Sequence, residues 1–147
     1  MEIPKTHGVT LSGTLRLLSG TPFTIQDTTV DRDRNRINFD PLPAGTYTPD
    51  ASAGPNVIKS IESKGGRNGA RGPGFVQLDM RIGYRARLGS SRRTLDVYVE
   101  TFNVTDRVNF SNPSGDRRTL GDFLRYASLV GGTGFPRQSQ LGLRFGF

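Results

Sequence analysis

The chain has no cysteine, no tryptophan, a single histidine and no long apolar run. Each absence closes a class of function. Without cysteine there is no disulfide framework, no thiolate nucleophile and no zinc–thiolate site. His7 stands alone near the N-terminus, so neither a histidine-based triad nor a multi-histidine metal site can be assembled within the chain. A helix that crosses a bilayer needs roughly 18 or more consecutive apolar residues, and no segment approaches that. No phosphate-cradling glycine loop or dinucleotide fingerprint occurs. The opening Met1-Glu2-Ile3-Pro4-Lys5 carries no basic, apolar leader.

What is present is glycine, proline and positive charge. The 147 residues suit one domain, yet only 33% are hydrophobic, and 19 glycines with nine prolines promise many turns and a poor self-contained core. Lys and Arg outnumber Asp and Glu by 20 to 13, a net charge of +7 that favours an anionic partner such as nucleic acid or lipopolysaccharide.

The hydrophobic residues alternate. Over residues 8–18, Val9, Leu11, Leu15 and Leu17 oppose Thr10, Ser12, Thr14 and Arg16. Residues 75–88 set Val76, Leu78, Met80, Ile82, Tyr84, Ala86 and Leu88 against Gln77, Asp79, Arg81, Gly83, Arg85 and Arg87. Residues 94–104 set Leu95, Val97 and Val99 against Asp96, Tyr98 and Glu100. Residues 137–147 end in Gln140-Leu141-Gly142-Leu143-Arg144-Phe145-Gly146-Phe147. A period of two means strands with one apolar and one polar face. Each is at least about the 9–11 residues that a tilted strand needs to cross the hydrocarbon of a bilayer. A soluble β-sandwich shows similar alternation in any one strand; four such strands favour an antiparallel transmembrane barrel segment.

The connections agree with that reading. Five residues, Gly89 to Arg93, join the second and third strands, whereas residues 19–74 and 105–136 form long loops. Outer-membrane barrels pair short periplasmic turns with long extracellular loops. If Phe147 sits at the periplasmic rim, the short turn is periplasmic and both long loops are extracellular. Charge then selects a register for the hairpin. Matching faces allow Arg85 opposite Asp96 with Arg81 opposite Glu100. The next register along would set Asp79 against Glu100, and like charges directly opposite repel. The expectation is a ladder of ion pairs, Arg81–Glu100 and Arg85–Asp96, lining a lumen.

Three patterns in the chain invite sharper chemistry. Asp31, Asp33 and Asn35 repeat the first positions of a calcium loop, but Arg36 stands where a turn-making glycine belongs and Leu42 where a bidentate glutamate belongs. Three arginines inside the loop repel a dication, so a solvated charged loop is the better reading and no metal is expected. The run Gly65–Gly74 resembles a Gly/Arg nucleic-acid segment, but it has no aromatic residue to stack a base; a flexible entry into a strand is simpler. Asp79, Asp96 and Glu100 are conceivable as paired catalytic acids, and the ion-pair reading is simpler again. Loop aromatics (Phe39, Tyr47, Phe110, Phe123, Tyr126, Phe135) are available to a substrate, although packing between loops accounts for them. Asn103-Val104-Thr105 is a glycosylation sequon in form only. No catalytic residue, cofactor or enzyme activity is expected.

The terminal strand carries the pattern by which outer-membrane barrels are recognised for assembly, with Gln140, Gly142, Phe145 and Phe147 in its polar, glycine and two aromatic slots. Further motifs are Gly66-Arg67-Asn68 followed by residues 71–81, then residues 100–110 with the form E-x-F-N-x-x-D-R-x-N-F, then Asn112-Pro113-Ser114-Gly115 and residues 134–145. In this order they resemble the C-terminal barrel region of Oar-like TonB-dependent receptors, with Asp106 where that family usually has Asn. The resemblance covers most of residues 8–147. It implies a parent barrel of about 22 strands around a plug, importing a ligand with energy from TonB, of which this chain supplies the closing strands.

The expectation is therefore an all-β outer-membrane protein of a Gram-negative bacterium. Its implied partners are membrane lipid, the barrel assembly machinery, and the rest of the barrel with its plug; TonB would be reached only through regions outside this sequence. The alternative is a basic, soluble nucleic-acid-binding β domain.

Overall fold

The computed structural model describes residues 8–51, 54–89, 93–131 and 135–147. His7, the opening Met1–Lys5, the centre of the expected short turn (Ser90–Arg92) and Gly134 lie outside the described residues. Among the described residues there are ten strands: β1 (Val9–Leu18), β2 (Pro22–Phe23), β3 (Gln26–Asp27), β4 (Asp40–Pro41), β5 (Gly45–Tyr47), β6 (Ile61–Ser63), β7 (Ala70–Arg71), β8 (Phe75–Arg87), β9 (Thr94–Phe102) and β10 (Gln138–Gly146). They fall into two compact units, residues up to 17 with 76–108 and 135–147, and residues 18–75 with 109–134.

The first unit is built on a four-stranded sheet in the order β1-β8-β9-β10, open at both ends. These are the four alternating segments, trimmed by one or two residues. β9 stops at Phe102 because Asn103 turns to φ 50°, a left-handed conformation that leaves the ladder. β8 and β9 pair antiparallel with Arg85 opposite Asp96 and Arg81 opposite Glu100, and β10 pairs antiparallel with β9, Leu141 opposite Val99 and Phe145 opposite Leu95.

These registers align the apolar residues into rows across three strands: Leu141–Val99–Ile82, Leu143–Val97–Tyr84 and Phe145–Leu95–Ala86. This face is open to the surroundings, with Leu141 and Leu143 about 70% exposed and Leu15, Leu17, Ile82 and Tyr84 at half or more. A soluble sheet would bury such a face; a lipid-facing one leaves it outward. One polar row interrupts it near the β9 exit, where the hydroxyls of Thr101 and Ser139 satisfy each other at 3.0 Å.

The second unit folds the two segments expected as loops. Pro22, Pro41, Pro43, Gly45 and Gly65 cut them into strands of two or three residues, too short for alternation to reveal. One small sheet runs β2-β7-β6-β5, and β3 pairs with β4. Phe23, Ile25, Leu42, Ala70, Phe123 and Leu124 form a buried core against which Tyr47, Ile58 and Ile61 pack. The run Gly65–Gly74 supplies the β6–β7 turn, β7 itself and the link into β8: Lys64 N–H donates to Gly69 O at 2.8 Å, and Gly65 takes φ 76° where an added Cβ would sit 2.6 Å from Ala44 N.

Asp116 ties the two segments of this unit together. Its carboxylate accepts the Thr28 hydroxyl at 2.7 Å and the N–H groups of Thr28 and Arg118 at 3.3 and 3.0 Å. Partial burial pushes this carboxyl up, but the Arg118 and Thr28 hydrogen bonds and the Arg118 guanidinium outweigh burial and hold it below the ordinary carboxylate value. A depressed folded value means that the tie is fully formed above the unfolded value of about 3.9 and lost as pH falls through the folded one. Hydrogen exchange should therefore show protection of the Thr28 and Arg118 amides that is constant from neutral pH to about pH 5 and collapses below about pH 4. Asp116→Asn should weaken that protection at neutral pH and flatten its pH dependence.

Candidate functional site

The polar face of the large sheet concentrates the side chains singled out by sequence. On it, Gln140–Glu100–Arg81, Gly142–Tyr98–Gly83, Arg144–Asp96–Arg85 and Gly146–Thr94–Arg87 form successive rows. The two ion pairs differ in kind. Arg85 grips Asp96 through two parallel bonds, Nε to Oδ1 at 2.6 Å and Nη2 to Oδ2 at 3.0 Å. Arg81 approaches Glu100 only to 4.0 Å. Glu100 also accepts the Gln140 amide, at 2.7 Å, and the Arg81 guanidinium lies over the Tyr98 ring, 3.6 Å from its centre.

Tyr98 is the residue that sequence reasoning passed over. Its ring covers Gly142: a Cβ added there would stand 2.2 Å from Cζ and 2.4 Å from the hydroxyl oxygen. On the other side, a Cβ on Gly83 would meet Tyr98 Cβ at 3.3 Å. Gly142 thus makes the hollow in which the ring lies, an aromatic covering the bare backbone of a strand glycine, while a Cβ on Gly83 would first meet Thr10 Oγ1, at 2.8 Å. The signal was in the sequence as an aromatic on a polar face with glycine at the paired positions, but it becomes visible only once both registers are known.

The other terminal residues divide by face. Phe145 lies on the apolar face and is 5.8 Å from Phe147, ring centre to ring centre. Phe147 is 96% exposed beyond the end of β10. Gln140 and Gly142 both engage β9 on the polar face.

At the exit of β9, Asn103 is buried and spends its side chain on the chain around it, three backbone groups and one hydroxyl. Its amide N–H₂ donates to Arg107 O and Phe135 O, both at 2.9 Å, and its Oδ1 accepts from Arg107 N and Thr105 Oγ1, each at 3.2 Å. The sequon nitrogen is thus an internal donor. Asp106 takes φ 52° and its carboxylate accepts Arg137 N–H at 2.9 Å. Asp79 accepts both the Gln77 amide and the Asn103 N–H. Asp79, Asp96 and Glu100 therefore have three separate sets of partners and do not form an acid pair.

In the second unit, Asp31, Asp33 and Asp40 bring carboxylate oxygens within 4.8 Å of one another. Asn35, expected in the set, binds Asp33 through its own amide at 2.8 Å and accepts Ile37 N–H through its Oδ1. The carboxylates cap their own loop: Asp31 accepts the N–H groups of Asn35 and Arg36, and Asp40 those of Arg32 and Asp33. Arg34 and Arg36 take left-handed φ values of 57° and 72° between them. The arrangement is a succession of side-chain-capped turns.

Over residues 6–140 the chain matches the outer membrane beta barrel domain family. No curated protein and no solved structure matches it.

The Tyr98–Gly142 fit has a measurable consequence. Gly142→Ala should destabilise the β9–β10 pairing by roughly 1–3 kcal/mol, the usual cost of overpacking. Removing the ring with Tyr98→Ala should recover most of that penalty, giving a coupling of at least about 0.5 kcal/mol in a double-mutant cycle. Urea unfolding in detergent micelles measures both, and additive effects would show that the ring does not select glycine.

Proposed function

Because the chain belongs to the outer membrane beta barrel domain family and so resides in the outer membrane of a Gram-negative bacterium, we propose that it supplies the closing strands of a larger TonB-dependent receptor barrel. The observation that carries this reading is the open, two-faced sheet of four long strands sharing one exposed apolar face. Four strands fall short of the roughly eight in the smallest closed barrels, and β1 and β10 each leave an edge for a further strand. The motifs in residues 66–81, 100–115 and 134–145, together with the terminal signal, support the Oar-like receptor family within that class.

In this reading the apolar face meets lipid and the polar face lines the lumen. The Arg85–Asp96 and Arg81–Glu100 pairs and the Tyr98 hollow fix register and give the lumen its polarity. Phe147 lies at the periplasmic rim, the long connections 19–74 and 105–136 are extracellular loops, and Gln140, Gly142, Phe145 and Phe147 present the strand to the assembly machinery. Plug and TonB contacts belong to parts of the receptor outside this sequence. The role is assembly, closure and ligand contact, with no catalytic step and no cofactor.

Fractionation and labelling test this. Expressed alone, the chain should enter membrane or aggregated fractions, since both sheet edges and one apolar face are open. A soluble monomer without detergent would refute the barrel reading. The absence of native cysteine makes single-cysteine scanning clean. In membranes, cysteine at Arg87 or Arg144 should react with a water-soluble maleimide, and cysteine at Leu141 or Leu143 should react only with a lipid-soluble one. The genomic frame upstream of Met1 should encode a plug and further alternating strands; its absence would sink the receptor assignment.

A further inference from the structure

We propose that the cleft beside Tyr126 is a carbohydrate-binding site. It lies wholly within the second unit, has a volume of about 410 Å³, and is lined by Ser114, Asp122, Arg125, Tyr126 and Ala127. That volume is in the range of small-molecule sites, about 300–1,000 Å³. The aromatic element is held in place: Phe110 stacks on Tyr126 with ring centres 4.5 Å apart and planes 7° from parallel.

The polar rim defines the chemistry. Arg125 Nη1 lies 3.5 Å from Asp122 Oδ1, and both side chains are about half exposed. The rim is thus electrically neutral, yet offers guanidinium donors beside carboxylate acceptors, with the Ser114 hydroxyl capable of either. An anionic ligand drawn by Arg125 meets the Asp122 carboxylate, and a cation drawn by Asp122 meets the guanidinium. An apolar ligand desolvates both charges without replacing their hydrogen bonds. A neutral molecule with adjacent hydroxyls, each able to donate and accept, satisfies the pair, and the C–H face of its ring matches an aromatic side chain. That combination is a pyranose.

The site is also preformed. Asp122 N–H and Phe123 N–H both donate to Thr119 O, and Arg125 N–H donates to Asp122 O, closing a tight turn. Within it Leu124 adopts φ 59°, rare for a bulky residue, with its side chain fully buried in the core. Sparsely populated backbone held by surrounding packing clusters at ligand sites. Ser114 N–H donates to Arg125 O and Tyr126 N–H to Asn56 O, pinning both walls. As the ligand site of a receptor, the cleft rests on the outward placement proposed above; as a sugar-binding cleft it does not.

The test is saturation-transfer NMR on the full chain in detergent micelles, with maltose, cellobiose and N,N′-diacetylchitobiose as probes and citrate as an anionic control. At least one disaccharide should receive magnetisation at its ring C–H protons, and citrate should not. Tyr126→Ala should weaken binding by about tenfold, the loss of one aromatic contact, and Tyr126→Phe should leave it within about threefold. Asp122→Asn, at an exposed side chain outside the core, should weaken it several-fold without unfolding. Phe39→Ala removes an exposed aromatic elsewhere in the unit and should change nothing. Transfer to none of the three sugars, transfer to citrate, or binding that survives both Tyr126→Ala and Asp122→Asn overturns the proposal. Whole-cell labelling of Phe39→Cys with an impermeant maleimide reads the outward placement separately. Sugar binding without surface labelling would defeat the receptor reading and leave the cleft standing.

Discussion

The large sheet depends on parity. Side chains in a strand alternate faces every residue, so each pairing must join apolar to apolar along its whole length, and a slip of one residue would invert a strand. β8 and β9 meet this condition with Arg85 opposite Asp96, and β9 and β10 with Leu141 opposite Val99. Two pairings set independently yield continuous apolar rows on one face and continuous polar rows on the other. Neither face would exist as a surface if one register shifted by a single residue. Slips of two residues preserve parity, so charge and shape must exclude those. On β8 and β9 a two-residue slip brings Asp79 opposite Glu100; on β9 and β10 it moves Gly142 from beneath the Tyr98 ring.

Glycine within a strand weakens it, because it surrenders more backbone freedom and packs nothing. Gly83 and Gly142 flank Tyr98 nonetheless, and the ring lying across Gly142 supplies the missing contact. The same ring carries the Arg81 guanidinium on its face, and Glu100 accepts the Gln140 amide while facing Arg81 at 4.0 Å. A row of paired charges inferred from the hairpin alone thus gains a further partner, Gln140, from the third strand. One ion pair is tight, and the other is a looser 4.0 Å pair whose cation also lies over an aromatic face and whose carboxylate also takes an amide. The third strand matters because the polar face is a connected surface whose groups choose among partners on both sides.

The four long strands were legible because their alternation runs over nine residues or more, and the β8–β9 register was legible because its charges differ in sign. The second unit was not legible as structure. Its strands are two or three residues long, and its core draws single residues from distant places: Phe23 and Ile25 from one segment, Phe123 and Leu124 from another. No window of sequence carries that pattern. The acidic run shows a subtler limit. Spacing brought Asp31, Asp33 and Asn35 together as a candidate set, but the third carboxylate in space is Asp40, and backbone N–H groups already face these oxygens. Sequence spacing reports which acids are near and says nothing of the donors that reach them first. Tyr126 was visible among six loop aromatics, and only the ring of Phe110 behind it and the Asp122–Arg125 rim beside it separate it from the others.

The exit of β9 shows why a motif can be read before its reason is known. A strand leaving a sheet uncouples backbone N–H and C=O groups from the ladder, and where the chain is buried, as at Asn103, such groups need other partners. Asn103 answers with the one side chain that carries two donors and an acceptor of two lone pairs on a short stem. It binds Arg107 on both its N–H and C=O, and reaches Phe135 near the start of the returning strand. The residue three positions on must turn left-handed to make this possible, and Asp, like Asn, tolerates that conformation at little cost. Asp106 then uses its carboxylate to hold Arg137 N–H, one residue before β10 begins. The E-x-F-N-x-x-D-R pattern thus encodes a hydrogen-bonding demand and a φ requirement, both imposed by ending one strand and starting its neighbour in a sheet with an apolar outer face. Asp106 meets both demands at once, with its φ of 52° and its carboxylate on Arg137 N–H.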